Sequence, residues 1–128
     1  MPSTRIVTGE WARAREMELI EAVHSALVSS IKIPDWDRDI VVDLYDGKRR
    51  IVPTGRSDRY TRIEIELFHG RSMEAKRALY RAIVQNVSAL GVPETEIKTI
   101  LIEVPLENWG LRGGLAGSEI DLGFAVDV

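Results

Sequence analysis

A chain of 128 residues is enough for one compact domain and too short for a second full one. Hydrophobic residues at 45% and charged residues at 29% suit a globular chain rather than a disordered one. The net charge of -3, with Lys and Arg scattered among acids, gives no footprint for nucleic acid or an anionic membrane. The absence of cysteine removes disulfides, thiolate metal sites and cysteine nucleophiles and makes a reducing, cytoplasmic setting the expectation.

The chain opens MPSTRIV. A small second residue favours removal of the initiator methionine, after which Pro2 carries a free secondary amine that can act as a base. No secretory leader is expected ahead of this segment, and no apolar run approaches the length that spans a bilayer. A strand is expected near Ser3 to Val7, then a helix from about Glu10 to Ile31 with Ile20, Val23, Leu27 and Ile31 as its apolar stripe. A second strand runs from Asp39 to Tyr45. The connector DGKRRIVPTGRSD, residues 46–59, holds two glycines, a proline and a basic run and reads as a loop or short hairpin.

In YTRIEIELF, Ile63, Ile65 and Leu67 alternate with Arg62, Glu64 and Glu66, the period of a strand with one apolar and one charged face. Ser72 is a helix cap with Glu74 in the first turn. Leu79, Ile83, Val87 and Leu90 form the stripe, and Gly91 and Pro93 end the helix. EIKTILIEV is the next strand. In the tail, residues 113–128, glycines precede an alternation of Ile120, Leu122, Phe124 and Val126, which reads as an edge strand seeking a partner.

The two halves repeat weakly. TRI at 4–6 returns at 61–63, and IKIPDWDRDIVV aligns with LGVPETEIKTIL, placing Pro34 over Pro93. Repeat one spans 2–45 and repeat two 60–112. Each reads strand, helix, strand, a unit that favours parallel pairing with a right-handed crossover. The expected fold is α+β: a four-stranded sheet with both helices on one face. The other face, with Arg62, Glu64 and Glu66, is then either solvated or covered by another subunit.

An opening proline, this double repeat, GRSMEAKRALY at the second helix and IEVPLENWGLRGGLAG closing the half resemble the tautomerase superfamily over essentially the whole chain. The second half is similar to the short 4-oxalocrotonate tautomerase repeat. By length, and by VHSALVSSIKIPDWDRD, the chain is nearer the fused two-repeat members such as malonate semialdehyde decarboxylase and cis-3-chloroacrylic acid dehalogenase. The resemblance implies a homotrimer with sheets packed around the axis, sites near the amino-terminal prolines, a small carboxylate substrate and no cofactor or metal. It also implies that the tail strand pairs across subunits.

Residue by residue, the resemblance implies Pro2 as the proton-transferring base and Arg71 as the clamp for a substrate carboxylate. His24 matches an active-site histidine of the dehalogenase, or is a hydrogen-bonded helix histidine at an interface, and Asp37 matches an aspartate that the decarboxylase uses near its proline, or is an ordinary loop acid after Pro34. His69 and Phe68 stand where the decarboxylase and the dehalogenase, respectively, carry a second arginine. Arg56 is either a restored positive charge or a turn residue, and Lys98 falls where the short tautomerases carry another substrate arginine, or is a surface lysine. Ile100 and Asn108 replace the tyrosine and glutamate with which the dehalogenase activates water, so hydration loses its base. Trp109 and Leu111 are the apolar pocket lining. The expected activity is keto-enol tautomerisation of a small 2-oxo or enol carboxylate. A decarboxylase or hydratase on the same proline scaffold and a non-catalytic trimeric binding domain are the alternatives.

Overall fold

The computed structural model describes residues 1–128. Strand β1 (Ser3–Gly9) leads through a 3₁₀ turn (Glu10–Arg15) into helix α1 (Glu16–Ile31), and strand β2 (Ile40–Tyr45) returns parallel to β1. Strand β3 (Thr61–Phe68), helix α2 (Met73–Ser88) and strand β4 (Ile97–Val104) repeat the unit, with β3 and β4 parallel. The halves join through an antiparallel β1–β3 pair, giving a four-stranded sheet in the order β2-β1-β3-β4.

The alternation in β3 decides which face is buried. Ile63, Ile65 and Leu67 are 0–1% exposed and pack with Ile6 of β1 beneath Leu19, Val23, Leu27 and Ile31 of α1 and Leu79, Ile83 and Val87 of α2. Both helices therefore lie on one face. The opposite face carries Arg5, Arg62, Glu64 and Glu66. Partners are found within the chain: Arg5 pairs with Asp43, and Arg62 Nε lies 3.7 Å from a Glu64 oxygen.

Helix α2 starts where the sequence placed its cap, with Ser72 Oγ accepting from the Ala75 amide at 3.1 Å. The first helix differs. Residues 10–15 form a 3₁₀ turn, held by the Arg13 to Glu10 pair and by Trp11 Nε1 donating to Thr8 Oγ1 at 2.9 Å, and the α-helix begins only at Glu16. The aligned prolines play matching parts, since the Pro34 and Pro93 carbonyls accept from the amides three residues on, at 3.0 and 2.8 Å.

The tail departs from the sequence reading. After Trp109 the chain makes a small hairpin of β5 (Gly110–Leu111) and β6 (Leu115–Ala116) and a 3₁₀ turn (Gly117–Glu119), and residues 120–128 pair with no strand. The segment instead packs Phe124 on the core and sets the Val128 carbonyl oxygen 2.9 Å from the Ser72 amide at the start of α2. It lies across a helix end, where it meets no free sheet edge of its own chain. No helix is long and apolar enough to cross a membrane.

Candidate active site

Four pieces of chain meet at one end of the sheet: the start of β1, the turn 34–39 before β2, the end of β3 with the start of α2, and the turn after β4. The parallel β1–β2 register brings the turn to the amino terminus, because the Thr4 amide donates to the Asp39 carbonyl at 2.9 Å. The Asp37 amide donates to the Pro34 carbonyl, which folds Asp37 inward. Pro2 is buried, and the α-amino group, on Met1 here, lies 3.3 Å from Asp37 Oδ2.

Arg71 enters from the other side. It is 5% exposed, and Asp37 is 6% exposed, for side chains that seldom go inside without a partner. One guanidinium nitrogen donates to the Phe68 carbonyl at 3.1 Å, while Nε and Nη2 are buried with no hydrogen-bond partner. Burial lowers the Arg71 pKa, with Glu103 and Asp37 acting against that fall. Burial also pushes the amine below its ordinary value of 8.0. Asp37 pulls it back up by charge and hydrogen bonding, and Arg71 pushes it further down.

An apolar wall closes one side, with Trp109 edge-on to Phe68 at 4.9 Å between ring centroids and its indole N–H donating to the Val104 carbonyl at 3.1 Å. Glu103 at the end of β4 pairs with Lys76 of α2, which holds the Glu103 carboxyl below the usual carboxylate range with help from the Gly70 amide and His69.

The structure therefore brings together Pro2, Asp37 and Arg71, with Trp109 beside them through Phe68. His69 is exposed beside Glu103, and Asn108, also exposed, ends the short 3₁₀ turn before Trp109. Leu111 is half-buried in β5.

His24 is 1% exposed and lies behind the turn. Its Nε2 is 2.9 Å from the Asp35 carbonyl oxygen, a contact that braces the loop carrying Asp37. Lys98 and Arg56 stand at the opposite end of the sheet. Lys98 is in register with Arg62 and hence near Val7, whereas the amino-terminal end of β1 is in register with Glu66. Arg56 belongs to the connector near Glu96. Glu103 is the residue that sequence reasoning passed over. Its signal is an acid breaking the apolar run ILIEV just ahead of the proline that ends the strand. No group of three or more histidine or acidic side chains is placed to hold a metal ion.

None of the cavities of the single chain is lined by Pro2, Asp37 or Arg71. The three groups are buried in the single chain, and no cavity of that chain reaches them.

Comparison with known proteins agrees with this geometry. Residues 37–112 match the family described as tautomerase enzyme (Tautomerase_2). A protein of Ralstonia nicotianae named "Probable tautomerase" is 42% identical over 52 residues, which cover 40% of this chain and 74% of that one. The 2-hydroxymuconate tautomerase of Comamonas testosteroni is 35% identical over 51 residues, covering 39% and 81%. Among solved structures, FG41 malonate semialdehyde decarboxylase superposes with a TM-score of 0.81 at 26% identity, covering 94% of this chain and 98% of its own. A fused 4-OT described as a symmetric trimer gives 0.74 at 27% identity, covering 91% and 95%.

Proposed function

The chain belongs to the tautomerase family, and from that premise we propose that it is a cofactor-independent tautomerase of a small 2-oxo or enol carboxylate, with the amine of Pro2 as the base. While Met1 is attached, the Pro2 nitrogen is an amide with no basic lone pair. Removal of Met1 makes it the chain's amine, in surroundings that depress an amine pKa by burial and by Arg71. A base with a value below 8.0 is neutral over more of the physiological range and can lift a proton from carbon next to a carbonyl, then return it to the conjugate position.

The observation that carries this reading is Arg71. A buried guanidinium with two nitrogens lacking partners has donors to spare for a carboxylate, beside the helix start capped by Ser72. Its charge also opposes protonation of the amine, so one residue binds the substrate and tunes the base. The apolar faces of Trp109 and Phe68 would supply the dry wall that strengthens both effects.

Asp37 favours a second reading, decarboxylation of a 3-oxo acid, because an anion 3.3 Å from the amine stabilises its charged form as an electrostatic aid. The net shift of the amine is downward, which suits a base better than a permanent cation.

The test is intact mass followed by ketonisation of phenylpyruvate and 2-hydroxymuconate. The expected result is loss of Met1, a fall of about a hundredfold or more for Pro2→Ala, and a loss of roughly tenfold to a hundredfold in kcat/KM for Arg71→Ala. Retained Met1, or a wild-type rate that survives Pro2→Ala, overturns the base assignment.

A further inference from the structure

Residues 69–72 carry Arg71 from the end of β3 into α2, beyond the last rung of the β3–β4 ladder, where Phe68 is in register with Val104. A turn that has left the sheet needs other acceptors for its amides. The tail supplies one on its side, since the Val128 oxygen accepts from Ser72. Near the turn on the β4 side stands Glu103, in register with Leu67. Strand alternation sets Glu103 with Leu101, which packs on the core, and apart from Ile102, which lines the open face. Glu103 therefore lies on the helix side of the sheet.

Its carboxylate is held from two directions. Lys76 Nζ, in the first turns of α2, donates to Glu103 Oε1, and the Gly70 N–H helps to stabilise the charge. Gly70 has a φ of 127°, a conformation that favours glycine, and a Cβ there would lie 3.1 Å from the Val126 oxygen. An exposed Lys–Glu pair contributes little by itself. An acid that joins β4, the turn and α2 does more, because it fixes the backbone on which Arg71 rides. Glu103 also acts on Arg71 by charge, ahead of Asp37. Yet it takes none of the guanidinium donors. One nitrogen goes to the Phe68 carbonyl, and Nε and Nη2 are left buried without a partner. The arginine is steadied without being filled.

We propose that Glu103 is a positioning residue of this site: tied to Lys76 and to the Gly70 N–H, it locks the 69–72 turn so that Nε and Nη2 of Arg71 stay presented to a carboxylate. The proposal rests on the reading of Arg71 as the carboxylate clamp. Glu103 acts through that arginine, so its loss is felt in binding rather than in proton transfer.

The experiment compares Glu103→Gln with Glu103→Ala in the full-length protein. Both lose the same charge, and only glutamine keeps an oxygen for the Gly70 N–H, so the difference between them reads the hold on the turn. Binding is measured by titration calorimetry with phenylacetate, a carboxylate with no ketone to enolise, and KM and kcat by phenylpyruvate ketonisation. Phenylacetate should bind about tenfold more weakly to Glu103→Ala than to Glu103→Gln, with KM rising by a similar factor and kcat within about twofold. Glu103→Leu, which keeps bulk without an acceptor, takes the place of Glu103→Ala if that variant does not fold. Equal affinity in the two variants, or a kcat that falls as far as KM rises, overturns the proposal. If Arg71→Ala still loses phenylacetate, the clamp stands without it. Phenylacetate binding that is absent in wild type or unchanged in Arg71→Ala overturns the clamp and this inference together. A wild type that binds phenylacetate but has no ketonisation rate sinks the tautomerase reading alone, because the calorimetry still decides the role of Glu103.

Discussion

Asp37 and Arg71 pull the amine in opposite directions, and the sign of each can be read in a pH profile. A neutral base makes kcat/KM rise with pH through its pKa, and if the Pro2 amine keeps the surroundings that lower the Met1 amine, burial and Arg71 move that limb to lower pH. Asp37→Asn removes a carboxylate that raises the amine pKa, so the rising limb should move to lower pH. The same surroundings affect stability. An amine depressed in the fold binds fewer protons than in the unfolded chain, so stability should rise with pH between its folded value and 8.0. A kcat/KM profile for wild type and Asp37→Asn from about pH 5 to pH 9 checks the first statement. A limb that stays in place or moves up would mean that Asp37 does not act on the base.

At this scale local pattern was a good guide to which groups lie together. Pro2 at the chain start, Arg71 at a helix start and Asp37 three residues past Pro34 all meet at one place. For His24, beside an apolar stripe, a site histidine and a hydrogen-bonded helix histidine look alike in sequence, and the structure adds the contact to the Asp35 carbonyl. Lys98 was linked to the site by resemblance to the short tautomerases and Arg56 by its charge in the connector; within one chain the register sets Lys98 at the far end of the sheet, and Arg56 lies near Glu96.

Among the elements, the start of α2 carries the most. Ser72 caps it, the Val128 oxygen lies on its amide, and Arg71 precedes it. Ser72→Ala should lower unfolding free energy by about 1 kcal/mol and raise KM more than it lowers kcat, because it loosens the turn that aims Arg71. Denaturant unfolding with steady-state kinetics checks both. An unchanged KM would separate the cap from substrate binding.

The two halves also touch at a point that composition does not reveal. A Cβ on Gly9 would lie 2.1 Å from an Asp58 oxygen and 2.2 Å from its backbone oxygen, so Gly9→Ala should cost about 1–3 kcal/mol through forced backbone movement. The strands and α2 were legible because burial follows their periodicity. The 3₁₀ turn was not, since EWARAR has the composition of a helix and is distinguished by a local bond to Thr8 and a tertiary one to Asp58. The alternation in the tail signals a surface to be covered, and a lone chain offers no strand edge there.

For the whole molecule, the open sheet face is the feature to account for. Val41 is 53% and Ile102 43% exposed on that face, around the cavity that Arg5, Glu64 and Glu66 line. Large apolar groups set among charges and turned away from both helices suit an interface between copies. The charges add selectivity, because acids gather near the β1 start and arginines at the opposite end, so facing sheets can pair end to opposite end.

A homotrimer built on this face would also set a neighbour's strands near the end of the sheet that holds Pro2 and Arg71. Val41→Glu places a charge in that interface without touching the polar groups of the proposed site. It should shift the protein from trimer to monomer in light scattering and lower kcat/KM by about tenfold or more, with the helical content of the chain unchanged by circular dichroism. A fully active monomer would place the whole pocket within one chain. A trimer indifferent to the substitution would move the interface to another surface and leave the open face to solvent.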